Sequence, residues 1–374
     1  MKKQVIGIVG CGNISDIYLK NLTGIFKDLV EVKSCTDLDQ DRRVEKAETY
    51  GIEAVESLTK MLDDPGIDII LNLTTPPIHA EVDMAALSAG KHVFSEKPLA
   101  VSLEESTAVM KEAKKRGLRV GCAPDTFLGA GIQTARNLID EGVLGEVVSV
   151  SACMACHGHE SWHPHPEFYY QSGGGPMMDM GPYYLTALVN LAGPITRVSG
   201  MVNKAFERRI MTSPERAGDS VDVEIMTHVT GTMEFAGGAV GTIVTSFDIW
   251  KSDVPRIEVH GTKGSLSIPD PNTFGSNTND LLLFREGSEA WERIQLTDFS
   301  YADNSRGLGV VDMALAISQE RPHRASGDLA GNVLEAMVGF EAAALSGKYI
   351  TLSEGLKARP AAMKKGLAVG AVWQ

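Results

Sequence analysis

Cysteine is scarce in this chain: Cys11, Cys35, Cys122, Cys153 and Cys156 are five in 374 residues. An odd number so thinly spread is not the pattern of a disulfide framework, and reduced thiols are expected. Long apolar runs are absent as well. None reaches the roughly 18 residues of a membrane-spanning helix. The start, Met1-Lys2-Lys3-Gln4-Val5-Ile6-Gly7, passes from two lysines into a strand-like segment rather than a signal region, so a cytoplasmic location is expected. Basic charge falls short: 35 Lys and Arg against 48 Asp and Glu leave a net charge of −13. Such a field repels nucleic-acid phosphates and anionic membranes, and neither is expected as a partner.

No fixed-period repeat or low-complexity segment occurs. The hydrophobic share of 43% and charged share of 22% are those of a chain that buries its own core. At about 100 to 200 residues per domain the length implies two or three domains.

Two textures divide the sequence. Up to residue 122, β-branched runs at 5–9, 30–35, 67–73, 92–95 and 118–122 alternate with helical patterns at 14–26, 42–50, 78–89 and 103–116. That alternation predicts an α/β domain, residues 1–122, with a doubly wound parallel sheet. Residues 123–374 read differently. After a helix at 132–141, the segments 147–155, 221–235, 239–247 and 255–268 follow period 2 and are joined by glycine turns. They predict a C-terminal α+β domain with a large, mostly antiparallel open sheet, on which helices at 312–318 and 329–344 are expected to pack.

Gly10-Cys11-Gly12-Asn13-Ile14-Ser15 sits on the first strand-to-helix junction. Gly10 permits the tight turn, Gly12 lets backbone approach a pyrophosphate, and the helix start at Asn13 and Ile14 offers free N–H groups to it. Asp37, at the end of the next strand, has the spacing of an acid that binds adenosine ribose hydroxyls. This favours NAD. Arg42 and Arg43 follow closely and could neutralise a 2′-phosphate, so NADP stays possible, although solvated residues at a helix start are the plainer account. Thr74-Thr75-Pro76-Pro77-Ile78-His79 and Ser95-Glu96-Lys97-Pro98 each follow a parallel strand. Ligands of open parallel sheets lie outside the strands' carboxyl ends, so Thr74, Thr75, Pro76, His79, Glu96 and Lys97 are expected to line the cofactor crevice. From the residues alone, Lys97 is equally a catalytic group or a surface cation.

Together with Gly173-Gly174-Gly175-Pro176-Met177-Met178-Asp179-Met180-Gly181, these motifs, in this order, resemble the Gfo/Idh/MocA oxidoreductases over nearly the whole chain. The resemblance implies a Rossmann domain for a nicotinamide dinucleotide and an open sheet that covers its nicotinamide end. That sheet's outer face would mediate self-association, as a homodimer or homotetramer. It implies polyhydroxylated substrates: sugars, sugar acids, inositols or glycosides. It places the catalytic lysine on Lys97 and the active-site aspartate on Asp179. Where the family often has histidine four positions later, this chain has Tyr183.

Oxidising a secondary alcohol removes a hydride and a proton, so a base must touch the hydroxyl. An unperturbed tyrosine, with a pKa of about 10, is a better proton donor than base at neutral pH. A nearby Lys97 ammonium would favour its ionised form. Lys97 and Tyr183 are therefore assigned as a coupled pair, with Asp179 orienting one of them or a substrate hydroxyl. Packing at helical spacing with Leu185 and Leu188 is the alternative role for Tyr183.

Cys153-Met154-Ala155-Cys156-His157 spells a haem-attachment pattern, rejected because it runs through a strand and no export signal accompanies it. His157, His159, His163 and His165 with Cys156 raise zinc, but they come from one short segment, and no metal is expected. His159, Glu160, Trp162 and His163 suit a sugar's polar rim and apolar face, and Tyr169 and Tyr170 lead from this loop into the glycine run. His159, Trp162, His163 and Tyr170 are candidate substrate contacts. So is Asp125, by resemblance, with a solvated hinge acid as its equal alternative. The function expected is an NAD(H)-dependent sugar or polyol oxidoreductase. The alternatives are a redox-neutral, NAD-retaining glycosidase or epimerase, and a non-catalytic NAD-binding regulator.

Overall fold

A computed structural model describes residues 3–275, 281–296, 298–367 and 370. The first third alternates as the sequence predicts: β1 (Gln4–Val9), α1 (Ser15–Thr23), β2 (Val30–Thr36), α2 (Gln40–Tyr50), β3 (Glu53–Ala54), α3 (Leu58–Leu62), β4 (Ile69–Asn72), α4 (His79–Ser88), β5 (His92–Ser95), α5 (Leu103–Arg116) and β6 (Val120–Cys122). Their parallel sheet has the order β3-β2-β1-β4-β5-β6. Ile6, Ile8, Ile69, Ile70 and Leu71 are fully buried because helices cover both faces, which is why these strands read as continuous apolar runs. The strand order reverses between β1 and β4, the crevice where doubly wound sheets bind ligands.

The remainder comprises α6 (Ala130–Asp140), β7 (Val147–Ala155), α7 (Pro176–Ala192), β8 (Ile195–Asn203), β9 (Arg208–Ile210), β10 (Ser220–Asp222), β11 (His228–Phe235), β12 (Val240–Ser246), β13 (Ile257–Gly261), β14 (Gly264–Ile268), β15 (Leu282–Arg285), β16 (Glu292–Arg293), α8 (Leu308–Ser318), α9 (Gly327–Ser346) and β17 (Ile350–Thr351). A nine-stranded sheet runs β16-β15-β14-β13-β7-β12-β11-β8-β17, antiparallel except for β7 with β12. Helices α7 and α9 cover one face. Phe340 of α9 reaches the sheet because Gly200 and Gly231 carry no side chain: a Cβ at Gly231 would lie 2.3 Å from the Phe340 ring. Burying such a ring contributes about 2 to 3 kcal/mol. The other face leaves Met201 and Val240 exposed.

Three expectations need correction. The run 221–235 is two strands, not one. Its alternation continues through Ile225, but the Glu224 amide donates to the Tyr170 carbonyl (2.8 Å) and the Thr227 amide to that of Asn203 (3.1 Å), so β10 leaves to pair with β9. The run 255–268 is a hairpin, turned where Thr262 and Lys263 donate to Glu146 and Leu144. Finally, α8 packs on β1 and β6 of the parallel sheet rather than on the antiparallel one.

Candidate active site

Lys97 follows β5, and its peptide bond to Pro98 is cis. The ammonium donates to Asp179 Oδ1 at 2.7 Å and to the Asp179 carbonyl at 2.8 Å. Burial works against the Lys97 charge, but the Asp179 carboxylate, Tyr183 and Glu96 outweigh it and hold the group above the ordinary lysine range. Asp179 and Tyr183 lie four residues apart on α7 and so share one helix face. Lys97 Nζ is 5.2 Å from the Tyr183 ring centroid.

The glycine run fixes where α7 starts. Gly175 has φ +98° and precedes Pro176 at the first helical position. Gly174 is pressed so close to the preceding loop that a Cβ would stand 2.3 Å from the Phe168 carbonyl. This close approach seats Tyr169 and His159 beside Asp179. His159 stacks on Tyr169 (3.8 Å, 26°) and puts Nε2 4.0 Å from Asp179 Oδ2. Burial pushes the His159 pKa down to about 4 and that of Tyr169 up to about 12, so both are neutral at pH 7.

Arg306, just before α8, reaches the same place. Its guanidinium donates to Asn304 Oδ1 (2.9 Å) and Asn272 Oδ1 (3.1 Å), and its charge lies close to Tyr183. Burial opposes its charge, but Tyr183, Tyr18 and Asp125 hold it above the usual arginine value.

On the nucleotide side, Gly10 adopts φ +100°, and a Cβ there would lie 2.6 Å from the Leu73 carbonyl. Only glycine fits. A Cβ on Gly12 would meet nothing within 4 Å, and the N-cap residue Ile14 supplies no side-chain bond to the start of α1. Open backbone before an uncapped helix start fits the pyrophosphate of NAD. Asp37 accepts the Cys11 amide at 2.7 Å and the Asp39 amide at 2.8 Å, joining the end of β2 to the glycine turn. Neither nearby arginine stands ready for a 2′-phosphate. Arg42 pairs with Asp39 at 3.3 Å, and Arg43 donates to the carbonyls of Asp37 (3.1 Å) and Glu56 (3.0 Å).

Comparison with known proteins gives the family and the fold. Residues 5–123 match the model of an oxidoreductase family with an NAD-binding Rossmann fold, and residues 132–267 match the GFO/IDH/MocA C-terminal domain. The scyllo-inositol 2-dehydrogenase (NAD(+)) of Bacillus subtilis (strain 168) is 30% identical over 273 residues, covering 72% of this chain and 75% of that protein. The chain belongs to the Gfo/Idh/MocA oxidoreductase family. The myo-inositol 2-dehydrogenase of Thermotoga maritima is 26% identical, covering 70% of this chain and 74% of its own. An NAD-binding oxidoreductase from Klebsiella pneumoniae superposes with TM-score 0.80 at 21% identity, over 94% of this chain and all of that one. A levoglucosan dehydrogenase solved with NADH and L-sorbose gives TM-score 0.80 at 19%, again over 94% and 100%. These two structures share the fold.

Within this Gfo/Idh/MocA chain the other candidates separate by burial. Thr74, Thr75 and Pro76 stay partly open beyond β4, and Asn13 is exposed at the turn. His79 does not face the crevice. It is fully buried, its ring nitrogens 2.7 Å from the Pro98 carbonyl and 3.0 Å from that of Thr74, so it braces the two loops against each other. Glu96 is also turned inward: one oxygen accepts the Tyr18 hydroxyl (2.7 Å) and the other the Lys97 amide (3.0 Å). Asp125 is neither a solvated hinge acid nor open to the cleft. It accepts the amides of Gly307 and Gly309 at 2.9 Å each, and burial raises its pKa to about 6. Tyr170 is fully buried and donates to no sugar site; its hydroxyl accepts the His159 amide at 3.2 Å. Trp162 stands largely exposed 5.4 Å from the His159 ring, and His163 lies edge-on to Tyr169 at 5.5 Å. Among the described residues no three His, Cys, Asp or Glu side chains gather as a metal site, and no helix is long and apolar enough to cross a membrane.

Arg306 and Tyr169 escaped assignment from sequence. Tyr169 carried a signal, its place before the glycine run. Arg306 carried none, since Asn304-Ser305-Arg306 matches no motif. The basic residues between α8 and α9 are structural: Arg321 and Arg324 both bind the buried Asp312 carboxylate, at 2.8 and 2.5 Å.

Proposed function

We propose that this chain is an NAD(H)-dependent oxidoreductase acting on a secondary alcohol or ketone of a sugar, sugar acid, polyol or glycoside, with Lys97 and Tyr183 handling the proton. The observation that carries the reading is the Lys97 ammonium, held twice by Asp179 and set against Tyr183 at the carboxyl end of β5.

A bound nicotinamide ring would exchange a hydride with the substrate carbon. Asp179 takes two of the three Lys97 donors and leaves the third for the substrate oxygen. The ammonium and the Arg306 guanidinium flank Tyr183, and their positive charge is placed to stabilise the negative charge that develops on the substrate oxygen as its proton leaves. In reduction the neutral phenol returns the proton. His159, neutral and buried, is suited to hydrogen-bond an adjacent hydroxyl, and Trp162 to lie along a ring face. The names of the inositol and levoglucosan relatives support a polyhydroxylated ring. The ribose acid Asp37 and the engaged Arg42 and Arg43 support NAD over NADP.

In this reading residues 1–122 hold the dinucleotide and 123–374 cover the reacting end. The exposed Met201 and Val240 on the open sheet face support self-association as a homodimer or homotetramer, in the cytoplasm. The test offers a panel of sugars, sugar acids, inositols and glycosides with NAD or NADP, followed by nicotinamide absorbance. Stoichiometric NADH with product supports the proposal, whereas flat absorbance while substrate disappears turns it into the redox-neutral reaction. Lys97→Ala should lower turnover by roughly 10²- to 10⁴-fold with NAD affinity retained; an active variant overturns the role of Lys97.

A further inference from the structure

Beside the proposed active site lies a second cleft, of about 470 Å³, between the loop after β7, the β9 strand and Trp250. Its size is that of a small-molecule site. Gly158 makes the separation of the two pockets possible. It has φ +78°, and a Cβ would stand 2.2 Å from Glu160 Oε2 and 2.4 Å from the Tyr170 hydroxyl, so the chain pivots here with no side chain at all. On one side of the pivot His159 faces Asp179; on the other His157 faces the cleft.

The cleft wall and floor differ in chemistry. His157 stacks on Trp250 with ring centroids 3.3 Å apart and planes within 13°, and Trp250 remains 82% exposed, so a broad aromatic face is presented outward. The floor is polar and buried. Arg209 sits between the rings of Phe206 (4.5 Å) and Tyr170 (5.5 Å), and its Nε approaches Glu160 Oε1 at 3.3 Å without hydrogen-bond alignment. Both of those atoms, and His157 Nδ1, are buried without a hydrogen-bond partner. Buried polar atoms are normally paired, so an ion pair out of alignment and an unpaired imidazole nitrogen on residues that line one cleft point to a ligand that engages those residues.

We propose that this cleft is a subsite for a second sugar ring, and that the substrate is a disaccharide or glycoside whose reacting ring lies at Lys97 and Tyr183. The inference rests on the oxidoreductase reading and deepens it. A pyranose carries C–H faces for the Trp250 platform and a rim of hydroxyls able to donate to Glu160 and accept from Arg209. A purely apolar ligand would leave those atoms unpaired, and a simple anion would leave the aromatic face bare. His157 and His159 are two residues apart, at most about 7 Å, which is the reach of one glycosidic linkage.

The experiment uses the full chain saturated with NAD. Turnover and calorimetric binding are measured for glucose and myo-inositol and for maltose, cellobiose, lactose and sucrose, in the native protein and in Trp250→Ala, whose exposed side chain is dispensable for folding. One disaccharide should be favoured over the single rings, and Trp250→Ala should remove about tenfold of that preference while leaving single-ring constants unchanged. The proposal is overturned if no disaccharide is preferred, or if the variant moves single rings and disaccharides alike. It is also overturned if the variant changes only the sedimentation behaviour, which would make the patch a contact between copies of this chain. Trp250-dependent disaccharide binding with no NADH from any sugar would support the subsite and refute the redox reading.

Discussion

Lys97 is bonded twice by one residue, through the Asp179 carboxylate at 2.7 Å and the Asp179 main-chain carbonyl at 2.8 Å. The second bond survives any change to the aspartate side chain. Asp179→Asn should therefore leave the ammonium near its place but strip its counter-charge, lowering kcat by about 10- to 100-fold with little effect on the KM for NAD. Steady-state kinetics with both substrates varied would check this, and a rise in NAD KM equal to the loss in kcat would contradict it.

Arg306 should support turnover and not only folding. Arg306→Met removes the positive charge beside Tyr183, so kcat should fall by about tenfold with the KM for NAD unchanged. Steady-state kinetics alongside urea unfolding decide it. Unchanged kcat with reduced stability would reduce Arg306 to a packing role.

Glycines 10 and 12 should fail in different ways. Gly12→Ala meets no protein atom within 4 Å, so it should fold normally and bind NAD poorly, because the methyl group occupies the pyrophosphate's approach. Gly10→Ala forces φ +100° on alanine and sets its Cβ 2.6 Å from the Leu73 carbonyl. It should cost stability, about 1 to 3 kcal/mol, before any question of binding arises. Urea unfolding alongside NAD titration separates the two.

Asp37→Ala removes the partner of the Cys11 amide as well as the acid proposed to bind the ribose. Affinity for NAD should fall about tenfold, and for NADP less. Equal losses in fluorescence titrations would show that the carboxylate serves the turn alone.

His159 makes folding sensitive to mild acid. Its folded pKa of about 4 lies below the roughly 6.5 of an unfolded histidine, so between those values the unfolded chain takes up a proton that the folded chain refuses. Stability should drop as pH falls through that window. His159→Phe should reduce the drop between pH 7 and pH 5 by on the order of 2 kcal/mol, read from urea midpoints at the two pH values. An identical drop in both proteins would place the sensitivity elsewhere.

The parallel sheet and the glycine turn are legible in the sequence because each is local: a buried strand and a tight turn follow from contiguous residues. Lys97, Asp179 and Tyr183 are singled out through the family resemblance, since their own neighbours leave Lys97 equally a surface cation and Tyr183 equally a packing residue. What sequence conceals is direction. His79 and Tyr170 sit in the right segments yet point into the core, and nothing in their neighbours' identities says which way the side chain turns. Arg306 is concealed for another reason. Its neighbour Tyr183 lies over a hundred residues away in sequence, and Asp125 holds the amides at the start of α8 against the end of the first sheet, which brings the two together.

The position of α8 bears on any attempt to divide the protein. Leu308, Val310, Val311 and Met313 are fully buried on this helix, which covers β1 and β6 although it follows β6 by nearly two hundred residues of chain and β1 by nearly three hundred. A fragment cut at Cys122 would expose a greasy strip on the back of its own sheet. It should come out of expression as aggregate unless a peptide spanning that distant helix is supplied alongside it.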